Sequence, residues 1–320
     1  MRVNAIDALL STLYIGGQST NSTSFNSMAN TVTQGFATLR SNLEITDLQE
    51  STVADRQRSV RKVLETDLNI LDSFLTGSYS RSTMIAPLKE ADVDIFVVLH
   101  SRYYHHYNGQ NGGQAGLLDL VKRVLRRTYT RTPDIGRSGQ AVTIRFSDFV
   151  VDVVPGFRRE GGGFLIPNSL RHEWLSTDPK RHVEILSAAN KEHNGDLVPL
   201  IKMLKGWNKK NGAFFRSFHL EVLVLKALQG VRISDYPSGV RFVLDKMRDL
   251  VTHQNPDPAG YGGDVGSYID TAARIQEARS KCEGAFELAL RAEELGRRND
   301  AKAAIEKWQA LFKEYFPAYG

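Results

Sequence analysis

The chain has 320 residues, 41% hydrophobic and 24% charged, with a formal net charge of +5. These values are those of a soluble globular protein whose core needs no covalent staples, with room for two lobes around a cleft. Cys282 is the single cysteine, which excludes an intrachain disulfide and argues against a cysteine-based zinc site.

The N-terminal MRVNAIDALLSTLY has no long apolar core or small-residue cleavage site, so no signal peptide is expected. No stretch approaches the roughly 18 apolar residues of a membrane span, and a cytoplasmic setting is expected. Positive charge suits a nucleotide or nucleic acid, and serves solubility equally well.

Residues 1–75 carry helical spacing: Phe36, Leu39, Leu43 and Ile45, then Val60, Val63, Leu64, Leu68 and Leu71. Thr76-Gly77-Ser78 marks an abrupt turn that ends this helical region, followed by a short helix and Pro87. Val93 to Leu99 is β-branched and apolar and reads as a strand. Residues 101–114 are polar, aromatic and glycine-rich and read as a loop, which would leave His105 and His106 on the surface. Leu117 to Tyr129 reads as an amphipathic basic helix. Ala141 to Phe146 and Phe149 to Val154 read as two adjacent strands.

Gly161-Gly162-Gly163 marks a break. Beyond it, helices are expected over 180–192, 197–210, 217–229, 238–252, 267–295 and 298–314, with a turn-rich loop at 253–266. The fold class is therefore an α/β (α+β) lobe at 1–165 followed by a helical lobe at 166–320, with the active site in the cleft between them.

Three carboxylates stand out. Asp92 and Asp94 open an apolar strand, where residues two apart share a face. Two like charges side by side repel, and a divalent cation would offset that; a solvated turn before the strand would also accommodate them. Asp152 lies in Phe149-Val-Val-Asp-Val-Val-Pro155, where a lone carboxylate calls for a basic partner or a shared metal. Upstream, Gly77 permits close approach of a ligand to the backbone, and Ser78 adds a hydroxyl for an anion; a plain turn would look the same. Together these signals describe a two-metal phosphoryl-transfer site. The P-loop and kinase motifs are absent.

At these residues the chain resembles the DNA polymerase β-like nucleotidyltransferases. Gly77-Ser-Tyr-Ser-Arg-Ser-Thr83, Ala91-Asp-Val-Asp-Ile95, Arg137-Ser-Gly-Gln-Ala-Val-Thr-Ile144 and Val151-Asp-Val-Val-Pro155 resemble in particular the cGAS/DncV-like group, the bacterial CD-NTases of anti-phage operons (CBASS). Trp174-Leu-Ser-Thr-Asp-Pro179 and Asp257-Pro-Ala-Gly-Tyr-Gly-Gly-Asp264 are similar to its later signatures. Leu200-Ile-Lys202-Met-Leu-Lys205-Gly-Trp207-Asn208 resembles the lysine helix shared with OAS-like enzymes, and Arg216-Ser217-Phe218-His219-Leu220-Glu221 the segment after it. The likeness extends over roughly residues 35–315.

The resemblance implies a helical OAS-like second lobe. It implies two Mg²⁺ ions, with Mn²⁺ able to substitute, held by Asp92, Asp94 and Asp152 as the catalytic residues. It implies nucleoside triphosphates, ATP among them, as substrates. Lys205 and Ser217 would touch the donor triphosphate beside Gly77 and Ser78, Lys202 a turn away would be a further nucleotide-binding residue, and Phe218 would stack on a base. Tyr79, Arg81 and Asn208 are candidates for reading it. The product would be a cyclic di- or trinucleotide second messenger. The same three aspartates would also suit an enzyme that adds a nucleotide to an RNA or other macromolecular acceptor. Activation by a HORMA-type partner and conjugation through Gly320 are further implications of the group. Activation by double-stranded DNA is not implied, because the His/Cys zinc element of metazoan cGAS is missing.

Overall fold

The computed structural model describes residues 28–131 and 134–320. The part of the expected N-terminal helical pattern that falls on residues 1–27 lies outside the described residues. Strand β1 (Met28–Ala29) leads into helices α1 (Val32–Leu43) and α2 (Asp47–Leu64). Both helices start on a Thr-x-x-Gln capping box, Thr31 with Gln34 and Thr46 with Gln49, so sequence alone dictates where they begin.

The expected helical run to residue 75 stops at Leu64. Residues 70–76 form β2 (Ile70–Thr76), so Gly77 ends a strand rather than a helix. The strand conceals itself because it is half exposed: Asp72 and Ser73 are solvated and tied to Lys180, Gln57 and Arg61. The short helix α3 (Gly77–Ser80) follows, and then β3 (Asp92–Leu99).

The expected loop at 101–114 is largely helical, with α4 (Ser101–Asn108) followed by α5 (Gly113–Thr128). Tyr103, Tyr104 and Tyr107, spaced for one helical face, pack against the sheet lobe's core. The neighbouring histidines and asparagine mask that spacing. His105 and His106 are exposed, as expected.

The sheet continues through β4 (Ile135–Ser138), β5 (Ala141–Arg145), β6 (Val150–Arg158), β7 (Phe164–Asn168) and β8 (Glu173–Thr177). Its order is β2-β3-β6-β5-β4, with β7 joining β6 to β8. Only the β3–β6 pairing is parallel; all others are antiparallel. By strand pairing this lobe reaches Thr177, and β7 straddles position 165.

Six helices complete the fold: α6 (Pro179–Glu192), α7 (Leu197–Lys210), α8 (Ser217–Ala227), α9 (Tyr236–Leu250), α10 (Ala272–Arg297) and α11 (Ala301–Phe312). All six fall where periodicity places them. Their core, with Trp207 and Trp308, also takes in Phe36, Leu39 and Leu43 of α1. At the far end, β9 (Ala318–Tyr319) pairs in parallel with β1, and Gly320 is exposed. Among the described residues no helix is long and apolar enough to cross a membrane.

Candidate active site

The pleat sorts the side chains of the sheet. Val93, Ile95 and Val97 of β3, Val151 and Val153 of β6, and Val142 and Ile144 of β5 enter the core beneath it. The alternate positions, Asp92, Asp94, Asp152 and Thr143, must face the other way. Register then brings them abreast, with Thr76, Asp94, Asp152 and Thr143 in one row across β2, β3, β6 and β5. That row opens on a cleft of about 640 Å³ between the lobes, within the ~300–1,000 Å³ range of small-molecule sites.

Positive charge acts on the carboxylates only at a distance. Among the described residues none of the three is ion-paired; Asp152 accepts only the Thr143 hydroxyl, at 2.6 Å. Burial, then the charge of Asp152, pushes Asp94 up to about 7, against the pull of Arg81 and Lys205. Burial and Asp152 also raise Asp92, with Arg145 and Lys209 opposing. Among the described residues no basic side chain pairs with Asp152.

Gly77 closes the row. Its φ is +66°, and a Cβ there would stand 1.8 Å from Asp94 Oδ2. The turn therefore needs glycine twice over, for conformation and for space. Ser78 lines the cleft, and its carbonyl anchors the Thr83 and Met84 amides at 2.9 and 3.1 Å.

The helical wall supplies Lys205, Ser217 and Phe218. Lys205 is 5% exposed and pairs with Glu221 at 2.6 Å. Arg81, from the sheet side, grips the same carboxylate at 2.6 Å. Burial alone would raise Glu221, but Lys205 and Arg81 more than offset it and hold it at about 2. Arg81 also lies over the Phe218 ring at 4.9 Å.

Lys202 is not brought to the cleft. It turns away to Glu44 at 2.5 Å and ties α7 to the end of α1. Tyr79 packs on the sheet lobe's core, and Asn208 commits its amide to the backbone of Phe215 at 2.7 and 3.0 Å.

Sequence reasoning missed Thr83, Thr143, His182 and Glu221. His182 lines the cleft beside Phe218, with ring centroids 4.7 Å apart, and meets Asp257 at 2.5 Å. Asp257 also accepts the Ala259 and Gly262 amides, so the 257–264 signature positions a cleft residue. The one available signal was that signature itself, whose aspartate had no stated partner.

The donor set suits a hard divalent cation: oxygen only, anionic, mutually repelling and open to the cleft. Among the described residues no three His, Cys, Asp or Glu side chains enclose a metal by themselves. Mg²⁺ does not require such a cage, since water and phosphate oxygens complete its shell.

Carboxylates grouped on one wall of a cleft, opposite a lysine and a serine at a helix start, mark the chain as a nucleotidyltransferase. Residues 30–190 match the family described as the Second Messenger Oligonucleotide or Dinucleotide Synthetase domain, and the chain belongs to that family. It is 26% identical over 314 residues to the cyclic AMP-AMP-AMP synthase of Acinetobacter sp. (strain ATCC 27244 / 9458), covering 90% of this chain and 86% of that one. CdnC of E. coli MS115-1 shares the fold, with TM-scores of 0.70 in its structure with ATP and 0.69 in its complex with HORMA-deltaN. Identity is 17% and 16%, with 89% of this chain and 99% and 98% of CdnC covered. DncV, the cyclic AMP-GMP synthase of Vibrio cholerae, superposes in complex with a linear intermediate at a TM-score of 0.69 and 14% identity, covering 91% of this chain and 97% of DncV.

Proposed function

We propose that this chain joins nucleoside triphosphates, ATP among them, into a cyclic di- or trinucleotide. The observation that carries this reading is the juxtaposition in one cleft of Asp92, Asp94 and Asp152 with Gly77, Ser78, Lys205, Ser217 and Phe218. The name of the Acinetobacter relative supports adenine as a base.

The donor's phosphates lie against the Gly77-Ser78 turn, Lys205 and Ser217, and its base against Phe218. A hydroxyl of the second nucleotide attacks the donor's α-phosphorus. A new P–O bond forms, the α–β anhydride bond breaks, and pyrophosphate leaves. Asp152, oriented by Thr143, receives the hydroxyl proton. Asp92, Asp94 and Asp152 would hold Mg²⁺, which would supply Lewis acidity to the transfer. A second turn of the same chemistry within the linear product closes the ring. A HORMA-type partner as activator is supported by the complex of CdnC.

The test is incubation of the full chain with α-³²P-labelled nucleotides and Mg²⁺, followed by phosphatase, chromatography and mass spectrometry. A phosphatase-resistant oligonucleotide, absent with Asp94→Asn, is expected. Labelled RNA in place of a small cyclic product would move the reading to a tailing enzyme.

A further inference from the structure

Glu221 lies 1% exposed on α8, between two cations that arrive from opposite lobes. An ammonium group has three N–H bonds to give. Lys205 spends them on Glu221 Oε1 at 2.6 Å, the Thr83 carbonyl at 3.1 Å and the Thr83 hydroxyl at 3.0 Å. The Thr83 hydroxyl in turn donates to Glu221 Oε1 at 2.7 Å. Arg81 gives the carboxylate its Nε at 2.6 Å and one terminal nitrogen at 3.2 Å.

Lys205 therefore has no N–H left for a phosphate as the groups stand. A phosphate oxygen must displace either a Thr83 contact or the carboxylate. The carboxylate also cancels one of the two positive charges that Lys205 and Arg81 bring to the cleft. Both facts act in one direction: they weaken the grip of this wall on an anion.

We propose that Glu221, seconded by Thr83, is a built-in competitor for the phosphate-binding cations, setting how tightly Lys205 and Arg81 hold the triphosphate and the departing pyrophosphate. The inference rests on the phosphoryl-transfer reading of the cleft. A wall with two unopposed cations would bind substrate and leaving group alike. Such uniform binding adds nothing to the chemical step and slows release. Glu221 is thus a positioning residue that acts through Lys205 and Arg81.

Calorimetric titration of the full chain with inorganic pyrophosphate, ATP and adenosine, all with Mg²⁺, tests this. Glu221→Gln keeps the side chain's shape and removes its charge. The Kd for pyrophosphate and for ATP should fall about tenfold while adenosine binds as before. The gain should shrink in a Lys205→Met background, because Glu221 acts in part through that lysine and in part through Arg81. A purely structural Glu221 would loosen all three ligands. Should Glu221→Gln fail to fold, Thr83→Val decides, since it keeps both ion pairs and removes one competitor; there the pyrophosphate Kd should fall about threefold. Anion affinity equal to or weaker than that of the unaltered chain, in whichever variants fold, overturns the inference alone. An unaltered chain that binds neither pyrophosphate nor ATP overturns the reading of the cleft, and the inference with it.

Discussion

The two walls of the cleft handle charge in opposite ways. On the sheet wall, Asp94 and Asp152 stand abreast with Asp92 two residues away on the same face, with no ion pair among the described residues, and burial with mutual repulsion raises two of them. On the helical wall, the buried carboxylate of Glu221 is saturated by Lys205, Arg81 and Thr83. One wall stores repulsion and the other stores attraction. The first is prepared to receive a cation, whereas the second is already complete and must exchange partners to receive an anion.

The contrast predicts opposite couplings between activity and stability. Asp94→Asn should remove product formation by about a thousandfold or more, the scale of losing a principal charge-stabilising group in phosphoryl transfer. In chelator the same variant should melt at or above the temperature of the unaltered chain, because a repelling charge is gone. A clear fall in melting temperature would mean that Asp94 holds the fold together, and the contrast would collapse.

Glu221→Gln should behave the other way. It leaves two buried cations without their counter-ion, and breaking a buried pair costs about 3–5 kcal/mol. The sign of the pH dependence follows from a folded-state pKa of about 2, below the ordinary glutamate value of 4.5. Stability from Glu221 is fully present above its unfolded pKa and is lost as pH falls through about 2. Denaturant titrations at several pH values should show the unaltered chain's advantage over Glu221→Gln holding from neutrality to about pH 5. Below that the advantage should shrink. An advantage that grows on acidification would show that Glu221 is not held ionised.

This difference also explains what could be read in the sequence. Two aspartates at one strand face, and a third within an apolar run, are legible because they break local rules of propensity and burial. The six helices from Pro179 onward were legible from their helical pattern. Glu221 was not, because a glutamate in a helix breaks no rule, and its partners Arg81 and Lys205 are 140 and 16 residues away in the chain. Strand β2 was lost because its partly exposed side chains carry no clean alternation, and β4, β7 and β8 because each is short and interrupts its apolar pattern with glycine, proline or polar residues. Lys202 and Lys205 of α7 both read as nucleotide-binding because spacing gives a helix face and not what that face meets.

Gly77→Ala sharpens the contrast at the sheet wall. A positive φ costs a non-glycine residue roughly 1–2 kcal/mol. Its Cβ would in addition drive into the Asp94 carboxylate. The expected result is a modest loss of melting temperature with a much larger loss of turnover. Proportionate losses of both would mean that Gly77 serves only the turn.

The smallest effect separates the two lysines. Lys202 is buried, but its partner Glu44 is 45% exposed, so solvent screens the pair. Lys202→Met should cost less than about 1 kcal/mol and leave ATP affinity unchanged. Lys205→Met, one helical turn away, should weaken ATP by about tenfold or more, since it removes a charged donor at the phosphate wall. Thermal melts and ATP titrations of both variants make the comparison direct. If Lys202→Met weakened ATP as much as Lys205→Met, α7 would be acting as an undivided basic surface, and the assignment of Lys205 rather than Lys202 to the cleft would fall.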